Sequence, residues 1–365
     1  MSKNSRSSQR AGGLTRRSFI LASAAILPVA AGLSRVSLAA SAGDTLVVRT
    51  SSGGSYGEAM DRAIFAPFTK TTGIRIIKTA SDMAPLIASA KQGKPLVDIV
   101  DTSEGLLQTL AANGVLSTID YGKCKLFTVE DIGKDAANQY MVRRMVYARV
   151  LGYRKNAFTG AVPANWPEFW NTEKFPGARA LPGLGLDMPD LEFALLADGV
   201  PINEIYPINI DRALAAYSRI RGKIQSFYNT DAISANLLST GEVDIEPIAN
   251  GRIQSMIDEG GGYAIEWNQH MKVPSAYAIL KGAANLENAY RFLDFALSPQ
   301  VQADFAKKIP YGPVNKKAFD LIPADIAAKL PTNPAWSDKG FMQDVKWWGE
   351  NSQLVTNKWN QWASQ

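Results

Sequence analysis

Three groups of side chains in this chain could act on another molecule or hold one. Gly53-Gly54-Ser55-Tyr56-Gly57 spells G-x-S-x-G, which presents a nucleophilic serine on a strand-to-helix turn, and Asp187 and His270 follow in hydrolase order. The acids Asp101 (followed by Thr102 and Ser103), Asp187, Asp190 and Glu192 stand where apolar runs pass into helix-forming segments. Carboxylates there can pair with a ligand ammonium or complement a helix N-terminus. Arg252 could clamp a carboxylate through two N–H donors, while Tyr56, Tyr228, Trp267 and Tyr311 could hold an alkyl chain or a cation against a ring face.

The serine chemistry fails on context. An elbow serine takes an oxyanion donor from an earlier strand loop, yet one strand alone precedes Ser55 after residue 42, and the single histidine, His270, lies next to an expected hinge. Ser52, Gly54, Ser55 and Tyr56 read instead as the opening of a helix, whose first N–H groups can receive a ligand oxygen or anion, with Ser55 as an alternative cap. One histidine, one cysteine and no calcium-type carboxylate loop argue against a metal, and no cofactor is expected.

The elements that must position these residues centre on 237–267. A helix stopped by Gly241 leads into an apolar strand, 243–248, then an Asn250-Gly251 turn, a helix over 252–259 and a short strand over 263–267. Ligands of open α/β sheets sit outside the carboxyl ends of strands, so Asn250, Arg252 and Trp267 are expected on that rim. Upstream, strands over 45–50, 74–79 and 96–100 alternate with helices over 56–70, 84–91 and 104–112, which predicts a parallel, doubly wound sheet. Strands over 145–153 and 224–228 follow, with a return strand over 275–280. The amphipathic tail, 341–362, carries Trp347, Trp348, Trp359 and Trp362 and reads as a packed helix.

The net charge of +5 over 365 residues belongs to the N-terminus. Lys3, Arg6, Arg10, Arg16, Arg17 and Arg35 face no acid before residue 43, and without these six the balance is 33 basic to 34 acidic residues, a net of −1. Nothing then favours nucleic acid. Thr15-Arg16-Arg17-Ser18-Phe19-Ile20 is a twin-arginine pattern, and the apolar run 20–33 has 14 residues, short of the roughly 20 that span a bilayer. A cleavable export signal over 1–42, cut near 39–43, is expected. With Cys124 as the sole cysteine, no internal disulfide is available.

Ala66-Pro67-Phe68, Thr72-Gly73-Ile74, Val97-Asp98-Ile99-Val100, Pro163-Ala164-Asn165-Trp166, Leu195-Leu196-Ala197-Asp198-Gly199, Gly241-Glu242-Val243, Asn250-Gly251-Arg252 and Ala296-Leu297-Ser298-Pro299-Gln300-Val301 run in order along the chain. In this it resembles the periplasmic solute-binding proteins of ABC importers, spermidine/putrescine type. The resemblance implies a two-lobe, hinged α/β fold of the type II binding-protein kind. The expected division is 43–150 for the first part of one lobe, 151–270 for the second lobe, 271–310 for the return and 311–365 for C-terminal helices packed across the lobes. It further implies a periplasmic monomer that closes on one small-molecule solute, amine-bearing in the polyamine branch, and delivers it to an inner-membrane permease without chemistry. It places Ala249 where some relatives carry an aromatic, and Ser275, near Tyr277, where an acid pairs with a ligand ammonium. An anionic or zwitterionic solute, such as an amino-acid derivative or opine, is the alternative. Ferric-ion relatives bind through tyrosines, for which Tyr56, Tyr228 and Tyr277 are the available set.

Overall fold

The computed structural model describes residues 45–51, 53–185 and 188–365. The segment read as an export signal, 1–42, and two candidate site residues, Ser52 and Asp187, lie outside them. Among the described residues no helix is long and apolar enough to cross a membrane.

The apolar runs form strands whose pairing divides the sheet into two parallel trios. Strands β1 (Thr45–Arg49), β2 (Arg75–Thr79) and β3 (Ile99–Ser103) make one, with β1 between the other two. Between them and the second trio run two long strands, β4 (Met141–Arg154) and, later in the chain, a 17-residue strand. The second trio consists of β5 (Arg179–Pro182), β6 (Ile224–Tyr228) and β7 (Ile245–Ala249), with β5 central. The long strand β8 (Tyr263–Ile279) pairs antiparallel with both β3 and β4, giving the order β2-β1-β3-β8-β4-β7-β5-β6. Both halves of this two-lobe α/β fold therefore share β4 and β8, which are its hinge strands. Apolar side chains cover both faces of the first trio: Phe68, Tyr277 and Phe292 on one side, Leu86, Leu107 and Leu110 on the other. That is why its strands read as continuous hydrophobic runs.

The structure redraws four sequence expectations. The helix expected over 56–70 runs from Gly54 to Thr72 through a π-type turn at Asp61–Phe65, and buries Met60, Ile64 and Phe68 before Gly73 ends it at φ +76°. The third strand lies later than expected and includes Asp101, Thr102 and Ser103. Asn250-Gly251 is not a turn but the start of helix Asn250–Asp258. The reason is the buried Asn250 side chain, which accepts from Ala148 N at 2.9 Å and donates to the Pro310 carbonyl at 2.9 Å. Gly251 allows this approach, since a Cβ there would lie 2.5 Å from both Ile309 and Tyr311.

Finally, the strands expected over 263–267 and 275–280 are one. The polar run Asn268-Gln269-His270 reads as a loop but forms a bulge inside β8. From Arg149 to Leu151 strand β4 advances two residues, while β8 goes back five, from Met271 to Glu266. Gln269 takes φ +60° to absorb the excess.

The C-terminal helix, Val345–Ala363, binds both halves. Thr109 and Ser352 hydroxyls meet at 3.0 Å beside Gly105, whose missing Cβ makes room for Trp348. At its other end Trp359 and Trp362 pack edge-on against Tyr217, and Trp362 Nε1 donates to Ser218 at 2.8 Å.

His270 supplies a test of the bulge. Its Nδ1 lies 2.8 Å from the Trp267 carbonyl oxygen, and burial pushes its pKa down to about 4 from 6.5. As pH falls the unfolded chain takes up this proton first, so stability drops between about pH 6.5 and 4, by up to roughly 3 kcal/mol. Urea unfolding at pH 7, 6, 5 and 4 should show a shallower pH slope in His270→Gln than in the natural chain; equal slopes would contradict the assignment.

Candidate functional site

The carboxyl ends of strands from both trios converge on one cleft of about 550 Å³, part of it open to solvent. The centre of a water molecule can reach about 70 Å³ of it. From the first half come Arg49 and Ser51 at the end of β1, Tyr56 on the following helix, and Asp101, Thr102 and Ser103 closing β3. From the second come Thr230 and Asp231 after β6 and Arg252 after β7. The hinge strands add Met145, Tyr147 and Ser275, and Tyr311 completes the wall.

Asp101 forms the floor. Its Oδ1 accepts from Arg144 Nε at 2.6 Å, and its Oδ2 from the Thr50 hydroxyl at 2.6 Å and the Tyr56 hydroxyl at 2.8 Å. Arg144 Nη2 also donates to the Tyr56 hydroxyl. Burial works against the Arg144 charge, but the neighbouring Asp101 carboxylate wins and its pKa is raised. Asp101 thus neither caps helix Glu104–Ala112, where no side-chain cap bond forms, nor stands open to a ligand amine. It is the counter-charge of an arginine that sequence reasoning missed; the arginines at 143, 144 and 149, set among apolar residues of one strand, were the available signal.

A second ionic group backs the opposite wall. Arg149 pairs with Asp190 and Asp231, each at 3.3 Å, and donates to the Tyr228 hydroxyl at 3.2 Å. Asp231 opens helix Asp231–Thr240, where Thr230 is the N-cap, its hydroxyl accepting from Ile233 N at 3.1 Å. Glu192 is fully buried away from the cleft, accepting from Tyr206 at 2.5 Å and Trp348 Nε1 at 2.7 Å, and burial raises its pKa. On the cationic side, Arg49 donates to the Asp101 carbonyl at 3.0 Å and Arg252 Nη1 to the Gly53 carbonyl at 3.1 Å. Arg252 Nε is buried without a hydrogen-bond partner among the described residues. Tyr56, Tyr147 and Tyr311 form an aromatic wall, Tyr311 lying 6.3 Å and 5.6 Å from the other two between ring centroids. Burial raises the Tyr56 and Tyr311 pKa values, so both remain neutral phenols at neutral pH.

Of the expected site residues, the cleft gathers Tyr56, Asp101, Thr102, Ser103, Arg252 and Ser275, the last donating to the Thr102 carbonyl at 2.8 Å. Others lie elsewhere. Tyr228 is not an exposed ring: it is buried, donating to the Pro247 carbonyl at 2.5 Å. Tyr277 packs in the core beside Arg144, edge-on to Phe292. With Tyr228 beside Arg149 instead, the three tyrosines considered for ferric ion are not brought together. Trp267, in the β8 bulge, stacks on Trp336 with centroids 4.8 Å apart, away from the rim. Gly54 and Ser55 border the cleft without lining it, and Asn250 is a buried tie. Ser55, Asn250 and Trp267, expected on one rim, do not face a common gap: Asn250 is tied to Ala148 and Pro310 and Trp267 to Trp336. Arg49, Tyr147 and Asp231 were missed: Arg49 ends a strand as a buried cation, and Asp231 lies three residues beyond Tyr228.

The family model described as "Bacterial extracellular solute-binding protein" matches residues 63–337. The chain belongs to that family. Its members here are binding components of ABC transporters, which take small-molecule solutes outside the cytoplasm and interact with a permease, and they are not enzymes. The G-x-S-x-G pattern is accordingly no active site, and His270 makes its hydrogen bond to Trp267 rather than to Ser55. The chain is 30% identical over 322 residues to the gamma-aminobutyric acid-binding protein of Pseudomonas aeruginosa, covering 86% of this chain and 89% of that one. An ABC transporter substrate-binding protein from Bradyrhizobium japonicum USDA 110 superposes with a TM-score of 0.78 at 32% identity, over 87% of this chain and 99% of the other. The binding protein AgtB of A. tumefaciens R10, solved with agropinic acid, gives 0.80 at 28% identity, over 88% and 99%.

Asp101→Asn should cost about 3–5 kcal/mol in unfolding free energy, because it leaves Arg144 buried without its counter-charge. Denaturant unfolding checks this; a loss under about 1 kcal/mol would mean that the pair is not the support of the cleft floor.

Proposed function

We propose that this family member captures a short solute bearing both a carboxylate and an amine, and delivers it to its permease by lobe closure. The observation that carries this is the state of the expected amine-binding acid: Asp101 is already neutralised by Arg144. Around the cleft, the guanidiniums of Arg49, Arg144, Arg149 and Arg252 stand against the carboxylates of Asp101, Asp190 and Asp231. With Asp101 and Asp231 already paired to buried arginines, the cleft disfavours a polyamine, while Arg49 on its wall suits a ligand carboxylate. The carboxylate would meet Arg49, aided by the hydroxyls of Ser51 and Ser103. The ammonium would lie toward Asp231 and the faces of Tyr147 and Tyr311, a setting that stabilises cations. A water molecule needs roughly 10–15 Å³ of such space, so about 70 Å³ suits a ligand of about five to seven non-hydrogen atoms. The γ-aminobutyrate-binding relative supports the same class.

Calorimetric titration of the mature chain should show binding of 4-aminobutanoate or a close ω-amino acid and weaker or no binding of putrescine and spermidine. Arg49→Gln should weaken carboxylate binding by about tenfold or more, as loss of a charge-assisted hydrogen bond does. Binding of the polyamines alone would reject the reading.

We further propose export as a folded monomer by the twin-arginine route, with residues 1–42 removed. The twin arginines in front of a short apolar run support it. Replacing Arg16 and Arg17 by lysine should leave uncleaved precursor in the cytoplasm; normal processing of that variant would argue for another route.

A further inference from the structure

The segments after β1 and β7 belong to opposite halves of the sheet, yet they touch across the cleft. Arg252 Nη1 donates to the Gly53 carbonyl at 3.1 Å. A Cβ on Gly54, which takes φ +62°, would lie 2.9 Å from the same nitrogen. A Cβ on Gly53 would lie 3.3 Å from the Ala232 Cβ, on the helix that follows β6. Arg252 is 3% exposed, and its guanidinium carbon sits 5.6 Å from the Tyr56 ring centroid, again across the gap.

We infer that Gly53 and Gly54 on one half, with Arg252 and Ala232 on the other, form a seam that sets the balance between open and closed lobes for any ligand. Arg252 is then a positioning residue for closure. A side chain at Gly53 would press on Ala232 and push the halves apart, while Gly54 is needed for its φ of +62° beside the Arg252 guanidinium. A contact made only in the closed state multiplies the affinity of every ligand by one factor, since each ligand draws on the same closed population. A residue that only binds a carboxylate changes the affinity of carboxylate ligands alone. The seam does not depend on the solute class proposed above.

The test uses the mature chain with three variants: Ala232→Leu as a wedge, Gly53→Ala as a smaller one at a backbone angle alanine accepts, and Arg252→Gln to remove the donor. Circular dichroism confirms that each is folded. Without ligand, small-angle X-ray scattering should give a larger radius of gyration for the variants than for the natural chain. In titrations with 4-aminobutanoate and with putrescine, the affinity of every compound that binds should fall by a common factor, on the order of tenfold for Arg252→Gln. Unchanged scattering and affinity in both wedge variants would overturn the seam. So would an Arg252→Gln variant that loses carboxylate compounds alone. If neither compound binds the natural chain, the solute assignment fails while scattering still decides the seam.

Discussion

The buried pair of Arg144 and Asp101 is the constraint on which the site depends. A guanidinium taken out of water loses several kcal/mol of hydration, and the loss is tolerable only with a well-placed counter-charge and further hydrogen bonds. Asp101 provides the charge, and Tyr56 and Thr50 fill the remaining positions around its carboxylate. The pair also joins elements that must hold a common position: the hinge strand β4, the end of β3 and the first helix. Gln302, which donates to the Arg144 carbonyl at 2.9 Å, ties a later helix to the same point. A floor fixed in this way is a rigid surface against which the other half can close.

The allocation of charge follows from this arrangement. An acid at the end of a parallel strand faces the ligand side of an α/β sheet and, taken alone, announces an amine site. Here the arginine behind it uses that charge before any solute arrives. Arg149 does the same to Asp190 and Asp231 on the other wall. The cleft therefore presents ion pairs rather than open carboxylates. The shared hinge strands make this possible, because β4 carries Arg144 and Arg149 to the two sides of one gap.

Much of the fold was legible because its signals are local. Apolar runs, helix-closing glycines such as Gly73 and Gly241, and the Asn165 cap all act within a few residues. The π-type turn, the β8 bulge and the helical start at Asn250 were not, since each is imposed by partners far along the chain; Asn250 is held by Ala148 and Pro310. The site divides in the same way. Strand ends such as Asp101 and Ser103 could be read as rim positions, but whether a polar side chain is free or already engaged is a property of contacts across the fold. Ser275 and Tyr56 reached the cleft as expected, while Trp267 found Trp336 instead, through a register shift that no periodicity in the sequence records.

The C-terminal helix lies across both halves, with Trp348 against the helix after β3 and Trp359 and Trp362 against Tyr217. One helix therefore completes packing in both halves, so the two halves gain the last of their buried surface together rather than one by one.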